Sequence, residues 1–294
     1  MKVVKGIIST ILALIVIPIM MAFIVYLSAN AILSKDNIEK VIKRVNVSDF
    51  LVDEDGEYTE AGKEIKEDLV KNGLPEEVFD EFINSKEITD FVSEYAGNVT
   101  EYVLRGKELE ELNAEDISSL INDNVDTIVT KLKDKKVEGY EELTDEKVAE
   151  FKSHVNEISK EIADSIPSIK EEMEKSDVTD AIRIVRFIFS GVVYAILVGI
   201  ILFLLIIIIL LNLNKNSYLI WLGVIFMLSS APLVLITKVM SYASIESNSK
   251  AVFSIIDLVT SKLSFYSYGF FIVGIIFIAI AIISRTIKNV ETVE

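Results

Sequence analysis

The chain has 294 residues, a mean hydropathy of +0.44 and a charged fraction of 25%, and one soluble domain with that charge would not average so apolar. The two properties are segregated: residues 34–186 carry 41 acidic and 21 basic side chains, the rest carries 4 and 8, and the whole nets −16. This excludes a single soluble domain and a strongly basic nucleic-acid binder, and the lack of cysteine excludes a disulfide-stapled scaffold.

The first element is apolar. Between Lys5 and Lys35 lie 29 residues without a charge, and about Ile7–Leu27 is long enough to cross a hydrocarbon core of about 30 Å as helix. Lys2 and Lys5 give it a basic start, and Ala29-Asn30-Ala31 fits a small-x-small cleavage site. The apolar run exceeds the roughly 7–15 residues of a signal peptide core, so residues 1–33 read as an uncleaved signal anchor and first transmembrane helix.

Residues 34–182 read as an acidic, water-soluble helical bundle inserted between the first and second spans. Each predicted helix has one apolar stripe and one charged face. The first carries Ile38, Val41, Ile42 and Val45, and the turn Asp53-Glu54-Asp55-Gly56 follows. Ile65 and Leu69 mark a second helix, ended by Gly73. Pro75 opens a third with Val78, Phe79, Phe82 and Ile83. A fourth aligns Ile88, Phe91, Val92, Tyr95, Val99, Tyr102 and Val103 and stops near Gly106. Asn113 caps a fifth through Leu132, and Thr144 a sixth through Ile162. A last segment restarts near Pro167. With no Gly or Pro before Gly191, it is expected to continue unbroken into span two, as a rigid coupling between bundle and bilayer.

Residues 183–294 form the membrane domain. Spans are expected at about 187–211, 218–237 and 265–283, within uncharged runs of 28, 22 and 22 residues. Ser249–Leu263 puts Val252, Ile255, Ile256, Val259 and Leu263 on one stripe, which suits a separate amphipathic helix in the membrane interface. Short-loop bases (Lys2, Lys5, Lys215, Arg285 and Lys288 against Lys238, Lys250 and Lys262) favour cytoplasmic termini and an extracytoplasmic 34–182 region. Arg183 and Arg186 count against that orientation. Gly191 with Gly199, and Gly269 with Gly274, read as helix–helix contacts. The fold class is therefore all-α, a cell-membrane, multi-pass protein with about four transmembrane helices, and the Ile-, Lys- and Glu-rich composition leans towards a bacterial source.

Chemistry-bearing motifs are few. Aligning Gly56 with the sixth position of a calcium loop puts Leu51 at the first and Gly62 at the twelfth, so Asp53, Asp55 and Glu57 read as an acidic turn. His154 is the sole histidine; with Glu150 and Glu157 it makes one carboxylate–imidazole face, short of a zinc ligand set. These six residues are the only metal candidates, and no catalytic residue or cofactor is assigned. Asn46-Val47-Ser48 and Asn98-Val99-Thr100 match the glycosylation sequon. No phosphate loop, nucleophile elbow or dinucleotide fingerprint occurs, and no ionisable residue falls near a span centre, where ion and proton pathways place them. The expectation is a non-enzymatic membrane protein whose acidic domain binds another membrane or envelope protein, an envelope component or a cation, as accessory subunit, sensor or scaffold. The alternative is a transport or channel component with a polar path through spans three and four, where Ser229, Ser230 and Pro232 interrupt the third. Beyond that protein partner it contacts the lipid bilayer, and no nucleic acid.

Overall fold

A backbone crossing hydrocarbon must satisfy its own hydrogen bonds, and an apolar run of twenty or more residues does so as helix. The computed structural model describes residues 2–53, 56–71, 79–109, 175–213, 216–245 and 250–291, with isolated positions at 76, 115–116, 118–120, 130 and 173. Among the described residues the protein is helical without a strand; Val52 and Tyr58 form one isolated antiparallel bridge. The helices are α1 (Lys2–Ile32), α2 (Lys35–Arg44), α3 (Glu60–Lys71), α4 (Phe79–Ile83), α5 (Lys86–Arg105), α6 (Ser176–Ile188), α7 (Gly191–Leu211), α8 (Ser217–Ile245) and α9 (Lys250–Glu291). Most of the predicted helix at 113–132, all of that at 144–162, and Pro75 and Pro167 lie outside the described residues.

The chain divides into two compact units, one of Met1–Leu33, Phe187–Glu246 and Ile255–Glu294, the other of Ser34–Arg186 and Ser247–Ser254. The first holds the four helices long and apolar enough to span a membrane, α1, α7, α8 and α9, and defines a multi-pass membrane protein. Its core joins Ala13, Val16 and Met20 of α1, Ile201, Leu205 and Ile208 of α7, and Leu222 and Ile225 of α8. A smaller cluster adds Ile24, Leu233 and Leu263. At one end Asn212 donates to Ser9 Oγ at 2.7 Å and to the Ile208 carbonyl, tying the α7 terminus to α1 through a buried hydroxyl.

Glycine sets one helix crossing. A Cβ on Gly223 would fall 2.8 Å from the Gly274 carbonyl oxygen, and one on Gly274 would meet Gly223 O and Met227 N at 2.9 Å each. The α8 and α9 backbones therefore touch at Gly223 and Gly274, where small residues permit close approach. Of the glycines expected to mark helix–helix contacts, Gly274 does so, whereas a Cβ on Gly191, Gly199 or Gly269 would meet nothing within 4 Å. Along α9, Thr260, Ser267, Gly274 and Ala281 recur every seven residues beside Leu263, Phe270 and Phe277. Phe226 of α8 stacks on Phe270 at 5.5 Å and meets the edge of Phe277 at 5.6 Å. A seven-residue period keeps one seam facing its neighbours along a long helix.

Two sequence expectations are corrected. The segment expected as a separate interfacial helix at 249–263 and the span at 265–283 are parts of one 42-residue helix, α9. No Gly or Pro interrupts Lys250–Tyr268, so nothing stops the backbone hydrogen-bond ladder. Conversely, the helix expected to run unbroken into span two is interrupted. It starts at Ser176 and stops at Ile188, and Ser190 (φ −72°, ψ 152°) caps a new helix by accepting from Val193 N at 3.4 Å. A serine followed by glycine offers a cap and a residue of low helix propensity together, and that combination breaks the helix.

In the second unit α2 lies antiparallel to α5. Lys43 pairs with Asp90 at 3.0 Å, and Lys35 donates to Asn98 Oδ1 at 2.8 Å. Gly97 makes this approach possible, since a Cβ there would meet Lys35 Cγ at 2.8 Å. The buried stripe of α5 is therefore Ile88, Ser93, Gly97, Glu101 and Leu104, while Phe91, Val92, Tyr95, Val99, Tyr102 and Val103 are only half-buried. Short side chains vanish under a close neighbour, and large ones stand beside it.

Candidate functional site

Three charged contacts of the described second unit meet at the carboxyl end of α5. A helix end leaves carbonyls without intrahelical donors and carries partial negative charge. Here Gly106 takes a left-handed conformation (φ 67°), and its N–H donates to the Tyr102 carbonyl at 3.0 Å. The same carbonyl accepts from Arg186 Nη2, at 2.8 Å. The guanidinium lies 5.6 Å from the Tyr102 ring centroid, and a Cβ on Gly106 would meet it at 3.1–3.2 Å. Glycine at 106 thus supplies both the positive φ and the room for the arginine. Arg186 Nε is buried with no hydrogen-bond partner among the described residues, so this contact carries a desolvation cost as well as a gain. One turn earlier, buried Glu101 is bridged by Arg105 at 3.0 Å and Lys107 at 2.7 Å, which compensates a carboxylate withdrawn from water.

Arg186 sits on α6, four residues before the Ser190 cap of α7. It ties the end of α5 to the segment leading directly into a membrane-spanning helix. In the sequence Arg183 and Arg186 read only as flanking charges. The Gly106 cap is legible there, but no local pattern pairs positions 84 residues apart.

A second node joins α3 to α4. Burial, and then the hydrogen bond it donates to Asp80, push the Tyr58 phenol up to about 12. Lys66 lies 5.1 Å from the Tyr58 ring centroid and 6.0 Å from that of buried Phe79, and pairs with Glu76 at 2.8 Å. The lysine beside it holds the Glu76 carboxyl below the usual carboxylate range. Both contacts are structural cation–aromatic and ion-pair packing.

Of the metal candidates, Asp53 and Glu57 are brought together by the turn itself. Asp53 Oδ1 accepts from Glu57 N at 3.0 Å, Asp53 N donates to Glu57 O at 2.8 Å, and Gly56 takes φ 82°. The exposed Asp53 carboxylate thus closes the turn through one oxygen. Asp55, Glu150, His154 and Glu157 lie outside the described residues. Of the sequons, exposed Asn46 precedes a 3₁₀ turn at Val47–Phe50, whereas Asn98 is held inside α5 by Lys35.

Within the membrane unit, Ser229 and Ser230 are fully buried and return their hydroxyls to their own helix. Ser229 donates to Phe226 O at 3.1 Å, and Ser230 to Phe226 O at 2.7 Å and Met227 O at 3.2 Å. Both hydroxyls are thus satisfied within α8, on the turn before Pro232. Thr237 does the same to Val234 O at 2.9 Å. The hydroxyls of Thr260 and Ser267 on α9 are buried without a partner among the described residues.

No family model, characterised protein or solved structure matches this chain.

Proposed function

We propose that this multi-pass protein acts without chemistry of its own, as an accessory, sensing or scaffold subunit. Its acidic 34–182 region, on the extracytoplasmic side, forms a helical domain that recruits another membrane or envelope protein. The observation that carries the reading is the Arg186 contact, which holds the end of α5 against α6. A ligand that shifted α5 would thereby act on α6, the helix that precedes span two in the chain, and coupling of this kind needs such a contact. The charge pattern supports recognition of a basic partner: residues 34–186, with 41 acidic and 21 basic side chains, net −20, and such a surface attracts cationic surfaces and repels anionic ones. Against the transport alternative, the serine hydroxyls of α8 are spent on their own backbone.

Purification of the full chain in mild detergent tests this directly. A stoichiometric membrane or envelope partner, lost at high salt, is expected. Solute flux through liposomes holding this protein alone would favour the transport reading and refute this one. Orientation is checked with Glu108→Cys and Leu213→Cys, both at exposed positions in a chain free of cysteine. The first should react with a membrane-impermeant maleimide in intact cells and the second should not. The reverse pattern would make the acidic region cytoplasmic.

A further inference from the structure

Helix α6 is apolar on two sides. Its inner side presents Ile182, Val185 and Arg186, all half-buried. Its opposite side presents Ile184, Phe187 and Ile188, which are 61%, 60% and 44% exposed. Spacings of three and four place these side chains on one helix face, where a water-facing surface helix carries polar groups. Arg183, 75% exposed along its side chain and paired at the surface with Asp180 at 3.1 Å, flanks that face.

What covers this face follows from where the chain goes next. Helix α7 begins at Gly191 and has 21 residues, about 32 Å of helix, which by itself fills the hydrocarbon core. The residues just before Ser190 therefore fall at the headgroup layer. An aromatic group marks the same level: Tyr26 stacks on Phe189 at 6.0 Å, lies 6.4 Å from Tyr194, and donates to the Ser190 carbonyl at 3.4 Å. Such rings concentrate at membrane–water interfaces. Were α6 to continue upright from α7, Ile184 would stand about 10 Å beyond Gly191, clear of a headgroup layer only about 5–8 Å deep. Exposed isoleucine and phenylalanine there would gain nothing. The chain does not continue as one helix: α6 ends at Ile188 and Ser190 caps α7.

We infer that the Ile184–Phe187–Ile188 face of α6 lies in the bilayer interface, its apolar side chains at the headgroup–acyl boundary and Arg183 reaching the lipid phosphates. The face is continuous along the chain with the lipid-exposed side of α7, where Val192 and Ile196 are 60% and 51% exposed. Helices of this kind bury their apolar side about 5–10 Å deep while the basic side chain stays in the headgroups.

Spin labels on single cysteines, introduced into the full chain in phosphatidylcholine vesicles, test this. Labels at Ile184→Cys and Ile188→Cys should collide with oxygen in preference to a water-soluble nickel chelate. Their oxygen-to-nickel ratio should exceed several-fold that of a label at exposed Glu94 on α5 and approach that of one at Phe203 on α7. Phe203→Cys also reports that each preparation remains inserted. A ratio at 184 and 188 equal to that at Glu94 would place the face in water and overturn the inference. Low access to both reagents would show a protein partner or second copy on the face, and would overturn it equally.

Discussion

Replacing Arg186 with methionine keeps the length of the side chain and removes the guanidinium. Three contributions go with it. The hydrogen bond from a charged donor to the Tyr102 carbonyl is worth about 1.5–3 kcal/mol, the ring contact about 0.5–1, and the favourable interaction with the α5 carboxyl end about 0.3–1. The last two share their charge with the first, and the unpaired Nε recovers solvation when the group is deleted, so the sum is an upper bound. A net loss of about 2 kcal/mol is expected, local to this junction. In amide hydrogen exchange of the full chain in detergent, that loss should accelerate the last turn of α5, Tyr102–Gly106, by about 30-fold. The amides of α7 should not change. Arg186→Lys keeps the charge but loses the planar face and should recover only part of the protection. Gly106→Ala places a Cβ 3.1 Å from the guanidinium and forces a positive φ on alanine, and should cost about 1–2 kcal/mol on its own. Because the added methyl group collides with the arginine, combining Gly106→Ala with Arg186→Met should cost less than the two changes added. Unchanged exchange at Tyr102–Gly106 in Arg186→Met would refute the reasoning, because the contact would then stabilise nothing at that end.

Three further outcomes are expected. The Tyr58 phenol has a folded value of about 12 above its unfolded value near 10, so its stabilisation is complete below pH 10 and is lost as pH rises towards 12. The amount is at most about 2 kcal/mol for a partly solvated ring; Tyr58→Phe should flatten this alkaline decline in thermal midpoint, and an equal decline in both proteins would contradict the assignment. Gly274→Ala drives a Cβ into the α8 backbone and should lower the midpoint by the equivalent of about 1–3 kcal/mol, whereas Gly199→Ala and Gly269→Ala, facing open space, should be neutral or stabilising in the same melt. Ser9→Ala removes the acceptor for Asn212 and should cost about 0.6 kcal/mol, with Ser9→Ala plus Asn212→Ala showing less than the sum of the single changes.

Features written into consecutive residues are legible from the chain alone. Runs of 22 or more uncharged residues admit one solution in hydrocarbon, and four helices long and apolar enough to span it appear where those runs lie. The end of α5 at Gly106 and the turn at Gly56 are legible for a similar reason, since glycine is the residue that takes positive φ without strain. At the junction before span two, helical periodicity continues through Phe187 and Ile188 and hides the break, because the decisive signal is one capping serine at 190. Along α9, Lys250, Asp257 and Lys262 change the polarity and suggest two helices, but polarity does not end a helix.

Which residues meet was decided only in three dimensions. Gly274 is legible as a contact residue, but its partner is Gly223 on another helix, because close approach depends on what the opposing surface leaves open. The contact of Arg186 with Tyr102 closes a loop of 84 residues, and nothing local distinguishes that arginine from Arg183 three positions earlier. One caps a helix end and the other stays exposed. The choice rests on which side of α6 packs inward, and the two-sided apolar pattern of that helix left both sides available until the fold selected one.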